Sequence, residues 1–192
     1  FAVPATELWA VRNKTMLIAG LGGIGTQTAK LASGLGMRVI ATRNSRREGP
    51  DYVDYVGLSG ELPYLIGQAD VVVNALPLTA ESDDLFDAAL FDRMKPSALF
   101  INVGRGGSVV TADLIEALEN STIAGAGLDV QDPEPVPPGH PLWKAPNLLI
   151  TPHISSFSDG GRDALWVIFR ENLRRYVAGD KMLSVVGVSR GY

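Results

Sequence analysis

Residues 15–37 constrain the fold more than any other stretch of this 192-residue chain. Thr15-Met16-Leu17-Ile18-Ala19 is a short apolar run, followed at once by Gly20-Leu21-Gly22-Gly23-Ile24-Gly25. Residues 26–35 then read as a helix, with Ile24, Thr28, Leu31 and Leu35 along one face. A strand that ends in a glycine turn and enters a helix is the setting in which G-x-G-x-x-G signals a dinucleotide phosphate site. Gly20 would allow the tight turn, Gly22 would leave room for a pyrophosphate, and Gly25 would let helix and strand approach closely. The unpaired N–H groups of the first helical turn would then face the phosphates. Glycine is frequent here, 21 of 192 residues, so the flanking strand and helix carry this inference rather than the glycines alone.

The same alternation continues to the end of the chain. Runs at 38–42, 70–75, 98–103, 123–130 and 147–151 read as strands, and 52–56 as a short strand or extended connection. Their near-continuous apolar character suits strands covered on both faces. Helices are predicted over 59–67, where Leu62, Leu65 and Ile66 would be buried, over 84–94, over 111–119 with Thr111 as the cap, and over 158–179. The last would carry Leu165, Ile168, Phe169, Leu173 and Tyr176 on its apolar side. Residues 6–11 could form a short helix, and 181–192 an extended tail. Residues 132–146 hold six prolines and read as a loop. The expected fold is α/β, a Rossmann-type doubly wound parallel sheet with helices on both faces. One dinucleotide-binding domain would account for residues 1–192, with ligands at the carboxyl ends of the strands.

Composition narrows the function. A net charge of -4 gives no reason to expect nucleic acid binding. The chain has no cysteine, which excludes thiolate catalysis and zinc–cysteine sites, and its only histidines are His140 and His153, so no metal site is expected. No apolar run approaches the roughly 20 residues of a membrane span, and no signal peptide pattern opens the chain. A cytoplasmic protein is the default expectation. The first residue is Phe, which suggests a fragment or a processed product.

An NAD site places an acidic residue some 20 positions past the first glycine, where it grips the ribose 2′-hydroxyl. Here that place is Ala41-Thr42-Arg43, with no Asp or Glu, and Arg46 and Arg47 follow. Guanidinium groups suit a 2′-phosphate, which a carboxylate would repel. The reading leans to NADP(H); Asn44 or Ser45 could serve the plain ribose of NAD.

Three further polar residues follow strand ends: Arg105 in Asn102-Val103-Gly104-Arg105-Gly106-Gly107, Glu134 in Asp132-Pro133-Glu134-Pro135, and His153 in Thr151-Pro152-His153. A carbonyl that accepts a hydride needs a proton donor, and histidine suits that work. A carboxylate can support the imidazole, and an arginine can clamp a substrate carboxylate bidentately.

With these pieces in view, residues 14–179 resemble the nucleotide-binding domain of the D-isomer-specific 2-hydroxyacid dehydrogenases, a family that includes glyoxylate/hydroxypyruvate reductases and phosphoglycerate dehydrogenases. The likeness rests on the ordered series formed by the glycine turn, Leu76-Pro77-Leu78-Thr79, Met94-Lys95-Pro96, the Arg105 motif, Gly127-Leu128-Asp129-Val130 and Thr151-Pro152-His153. The resemblance implies that Arg105 binds the 2-oxo acid, that His153 is general acid and base, and that Glu134 holds its ring. It implies that Asp129 meets the nicotinamide carboxamide beside the backbone of Val103, and that Leu76, Pro77 and Thr79 line the cofactor cleft. Gly20, Gly22, Gly23, Ile24 and Gly25 would meet the pyrophosphate; Thr42, Arg43, Asn44 and Arg46 would meet the adenosine ribose. Thr42-Arg43 departs from the family's usual acidic residue and resembles its NADPH-preferring reductases. The family also implies a homodimer, with Trp9 plausibly in the interface, and a second domain upstream without which this stretch would bind cofactor but turn over little. The competing reading is a non-catalytic NAD(P)(H)-sensing interaction module of the corepressor type, which shares fold and triad. A different enzyme class on this fold, such as an S-adenosylhomocysteine or alanine dehydrogenase-like domain, is disfavoured by Arg105, Glu134 and His153 together.

Overall fold

The computed structural model describes residues 10–44 and 46–187. Seven strands, β1 (Thr15–Ala19), β2 (Arg38–Arg43), β3 (Tyr55–Leu58), β4 (Val71–Asn74), β5 (Leu99–Asn102), β6 (Gly125–Leu128) and β7 (Leu148–Ile150), form one sheet in the order β3-β2-β1-β4-β5-β6-β7. Every pairing is parallel, and in the centre Leu17 lies opposite both Ile40 and Val72. The strand order reverses between β1 and β4, which opens a crevice at their carboxyl ends. Because the sheet is parallel, every loop that leaves a strand emerges on that same edge.

The helices are α1 (Gly23–Gly34), α2 (Leu62–Leu65), α3 (Ala88–Phe91), α4 (Thr111–Glu119) and α5 (Gly161–Ala178). Strand alternation sorts the apolar side chains into two cores. Leu17, Ile40, Val72 and Phe100 pack with Leu65 of α2, Phe91 of α3 and Leu114 of α4. Ile18, Val39, Ala41 and Val73 pack with Ala29 and Ala32 of α1 on the other face. Phe100 centres the larger core, with the rings of Phe86 and Phe91 at 5.0 and 5.3 Å.

The helices differ from the sequence reading in four places. Along α1 the expected apolar face is the solvent face: Ile24, Leu31 and Leu35 are 60%, 71% and 60% exposed, while Gly25, Ala29 and Ala32 are buried. A Cβ at Gly25 would collide with the Gly20 carbonyl, so α1 lies too close to the sheet for large side chains. The helix expected over 84–94 shrinks to α3. Asp84 takes φ +51°, Phe86 bridges to Val109, and Asp87 caps the short helix by accepting from Leu90 N at 2.9 Å. At α4 the bounds are as predicted, but Thr111 is not the cap: its hydroxyl donates to the Asp132 carbonyl at 2.6 Å.

The long helix α5 exists, yet Leu165, Ile168, Phe169, Leu173 and Tyr176 are all exposed. Beyond it Leu183 exchanges two hydrogen bonds with Asn172, at 2.7 and 3.1 Å. No helix among the described residues is long and apolar enough to cross a membrane. Trp9, most of the expected 6–11 helix, Ser45 and the end of the tail lie outside the described residues.

Candidate functional site

The glycine turn leaves β1 at Gly20, whose φ of +95° a side chain would resist. Leu21 N donates to the Thr42 carbonyl at 3.0 Å and ties the turn to the end of β2. The first intrahelical bond of α1 is Thr26 N to Gly22 O, 2.9 Å, so the N–H groups before it have no partner inside the helix. A Cβ at Gly22 or Gly23 would meet nothing within 4 Å. The helix start therefore opens onto free space, with exposed Ile24 at its rim.

At the end of β2, Thr42 is buried and Arg43 is half-buried. Arg43 Nε and Nη2 donate to the Leu21 carbonyl at 3.0 and 2.9 Å, and Nη1 donates to the Glu48 carbonyl at 3.0 Å. Three of its five N–H groups are thus committed to the chain, which leaves two for a ligand. Asn44 and Arg46 are exposed beside it. Arg47 points elsewhere, into Glu61 at 2.8 Å and Tyr55 at 3.1 Å.

Behind the next two loops lies a buried polar network that the sequence reading missed. Asn74 and Asn102 end adjacent strands and are fully enclosed with Ser108. Asn74 Nδ2 donates to Asn102 Oδ1 at 2.9 Å and to Ser108 Oγ at 2.7 Å. Asn102 Nδ2 and Ser108 Oγ then both donate to the Arg105 carbonyl, at 3.1 and 2.6 Å. An asparagine at the end of each of two apolar runs was the available signal. Val103 N bonds the Asn74 carbonyl at 3.1 Å. Leu76 and Pro77 are half-buried, and Thr79 is anchored by Ser82, whose hydroxyl also donates to the Pro77 carbonyl at 2.6 Å. The Arg105 side chain is exposed, with Nη1 on its neighbour's carbonyl at 2.7 Å. Gly106 packs directly on the Gln131 carbonyl, where any Cβ would clash, so the Arg105 loop rests on the segment leading to Glu134.

His153 and Glu134 meet: Nδ1 lies 2.6 Å from Oε1, with both side chains partly open to solvent. His153 takes φ +54°, and its N–H donates to the Asp129 carbonyl at 2.8 Å. Asp129 is 5% exposed and holds the following turn: Oδ1 accepts from Thr151 Oγ1 at 2.6 Å and Ile154 N at 2.9 Å, Oδ2 from Ser155 N at 3.0 Å. Burial pushes its carboxyl up, but the donors from Ser155, Thr151 and Ile154 outweigh that and hold it well below the usual carboxylate range. A carboxylate has about four acceptor sites, so these three donors leave at most one for a nicotinamide carboxamide. Gln131, also buried, donates to the Thr151 carbonyl at 3.0 Å. His140 serves its own loop, accepting from Leu142 N at 3.2 Å, and Trp143 Nε1 bonds the Pro137 carbonyl at 3.0 Å.

Glycine turn, Arg43, Leu76–Thr79, Arg105, Glu134 and His153 therefore all leave the carboxyl edge of one parallel sheet. This edge can present helix N–H groups to an anion, an arginine to a carboxylate, and a carboxylate-backed imidazole to a reacting oxygen.

The model of the D-isomer specific 2-hydroxyacid dehydrogenase NAD binding domain matches residues 3–155. The chain is 40% identical over 192 residues to an uncharacterized protein of Corynebacterium melassecola, covering 99% of this chain and 62% of that protein. It is 38% identical over 173 residues to a glyoxylate reductase of Pyrococcus horikoshii, covering 88% of this chain and 50% of that enzyme. Among solved structures, the NADPH-dependent glyoxylate/hydroxypyruvate reductase of Sinorhizobium meliloti, in complex with NADP and sulfate, superposes with a TM-score of 0.89 at 32% identity, covering 99% of this chain and 60% of that one. The chain thus spans about half to three-fifths of the length of these relatives.

Proposed function

The chain belongs to the D-isomer specific 2-hydroxyacid dehydrogenase family, and on that premise we propose that it is the cofactor-binding part of an NAD(P)-dependent reductase of small 2-oxo acids. NADPH is the favoured cofactor and a glyoxylate- or hydroxypyruvate-like acid the favoured substrate. The observation that carries the reading is the 2.6 Å contact between His153 and Glu134, on the sheet edge that also bears Arg105 and the glycine turn.

The residues present suit a dinucleotide: the first N–H groups of α1 are unspent, and the Cβ positions of Gly22 and Gly23 open onto free space. Gly20, Gly25 and Ile24 complete that cradle. Thr42, Asn44 and the remaining donors of Arg43 and Arg46 would take the adenosine ribose and its 2′-phosphate. Leu76, Pro77 and Thr79 would wall the cleft, with Val103 and Asp129 toward the nicotinamide end. When bound, the dinucleotide supplies the hydride that adds to the 2-oxo carbon.

This chain's own residues do the rest. Glu134 accepts a hydrogen bond from Nδ1–H and fixes the ring so that Nε2 faces outward. His153 Nε2 then gives its proton to the oxygen that was the carbonyl, and the product is the 2-hydroxy acid. Arg105 holds the substrate carboxylate, its backbone pinned by Asn102 and Ser108. A closing second domain would exclude water, so turnover is assigned to the longer protein and cofactor binding to this chain. The proposal includes a cytoplasmic homodimer; the exposed apolar residues of α5 support burial against further protein.

Titration of the chain with NADPH and NADH, and a glyoxylate or hydroxypyruvate assay on a family-length protein, test the reading. Saturable NADPH binding with turnover supports it. Cofactor-dependent capture of a partner without turnover would favour the corepressor-type module instead.

A further inference from the structure

The acidic residue missing from the end of β2 has a counterpart one strand over. Leu58 ends β3 opposite Arg43, the last residue of β2. Glu61 folds back on that end, Oε1 accepting from Leu58 N at 2.7 Å. Adjacent strands lie about 4.8 Å apart, so a carboxylate sits beside the end of the strand whose arginine would face the adenosine ribose. Arg47, read from sequence as a third phosphate-facing cation, spends its charge there: its guanidinium is 2.8 Å from Glu61 Oε1 and 3.1 Å from the Tyr55 hydroxyl. Tyr55 in turn donates to Glu61 Oε2 at 2.6 Å. These contacts hold the Glu61 carboxyl at about 2, with the Tyr55 bond the largest contribution, followed by Leu58 N and Arg47, so it is ionised throughout the physiological range.

We propose that Arg47 and Glu61 are a specificity-determining pair, in which Arg47 favours NADPH by cancelling the charge of Glu61 rather than by gripping the 2′-phosphate. The assignment rests on the reading that a pyridine dinucleotide lies with its adenosine ribose at the end of β2. Charges within about 8 Å of one another interact across physiological salt. A bare Glu61 would repel a 2′-phosphate, which carries nearly two negative charges, and would leave a plain ribose indifferent. Gln at position 61 keeps an acceptor oxygen for Leu58 N, and its amide N–H can donate to the Tyr55 hydroxyl in place of the bond that Glu61 accepts, so the neutral variant preserves the local fold.

The test measures dissociation constants of the chain for NADPH and NADH in four proteins: unsubstituted, Arg47→Met, Glu61→Gln, and the two combined. The expected result is that Arg47→Met weakens NADPH by roughly fivefold with NADH unchanged, and that adding Glu61→Gln restores NADPH binding. Arg47→Lys keeps the charge and should retain most of the affinity. A double variant as weak as Arg47→Met overturns the proposal, since Arg47 would then contact the phosphate itself; so does an unchanged NADPH affinity in Arg47→Met, or a parallel loss of NADH. If the unsubstituted chain binds NADPH and rescue fails, this assignment alone falls. If it binds neither nucleotide, the cofactor reading falls with it.

Discussion

His153 Nδ1 lies 2.6 Å from Glu134 Oε1, although the two residues leave different strands and are 19 positions apart. The contact exists because β6 and β7 are parallel neighbours, so the loops after them share an edge. It uses one ring nitrogen for support and leaves the other for proton transfer.

Removing that nitrogen should therefore spare binding and stop chemistry. In a family-length protein, His153→Ala is expected to lower kcat by about 10²–10⁴ with the NADPH dissociation constant unchanged. Glu134→Gln, which keeps the shape but not the charge, should lower kcat less. Steady-state kinetics beside a cofactor titration separate the two effects.

Arg105→Lys replaces a planar fork with a point charge. The KM for the 2-oxo acid should rise by about tenfold, with cofactor affinity unaffected. A parallel loss of both would mean that Arg105 serves the loop and not the substrate.

The Ser108 hydroxyl donates to the Arg105 carbonyl and accepts from Asn74, and Ser108 and Asn74 are both fully buried. Ser108→Ala leaves the buried Asn74 amide short of a partner, at a cost of about 1–3 kcal/mol. In a domain of this size that corresponds to a fall in Tm of several degrees, about 2–4 °C per kcal/mol. A thermal melt checks the fall.

Asp129 sets an acid limit on the turn that carries His153. Its carboxyl is held below its ordinary value, against the upward push of burial, by Ser155, Thr151 and Ile154. The folded state therefore gains from the ionised form. That gain is fully present above the unfolded value of about 4 and is lost as pH falls through the lower folded value. Asp129→Asn should destabilise the chain at pH 7, and the difference from the unsubstituted chain should shrink below about pH 4. Denaturant melts across that range measure it.

Much of this was legible in the sequence because parallel strands are buried on both faces. Val71-Val72-Val73 and Leu99-Phe100-Ile101 announce themselves by composition, and so does the glycine turn between strand and helix. The parallel order then forces Arg105, Glu134 and His153 to one edge. Apart from the Glu134–His153 contact, long-range partners were not legible. The face of α1 was misjudged because Leu31 and Leu35 outweigh Ala29 and Ala32 in any apolar count, whereas the close approach at Gly25 admits only small residues. The 84–94 helix was overextended because Phe86 is apolar for a different reason: it bridges to Val109 and packs on Phe100. Arg43 and Arg47 looked alike in sequence, and only tertiary structure gives one to the glycine turn and the other to Glu61. The exposed residues of α5 kept their helical period but not their expected burial.

The central claim is that a dinucleotide enters over the glycine turn, and Gly22 tests it most directly. Its backbone is extended, at φ -86°, outside the left-handed region, and a Cβ there meets no protein atom within 4 Å. Gly22→Val should therefore fold and melt like the unsubstituted chain, while its side chain fills the space proposed for the pyrophosphate. Titration of both proteins with NADPH is predicted to show binding weakened by roughly tenfold or more in the variant. Equal affinity in the two proteins would contradict the account.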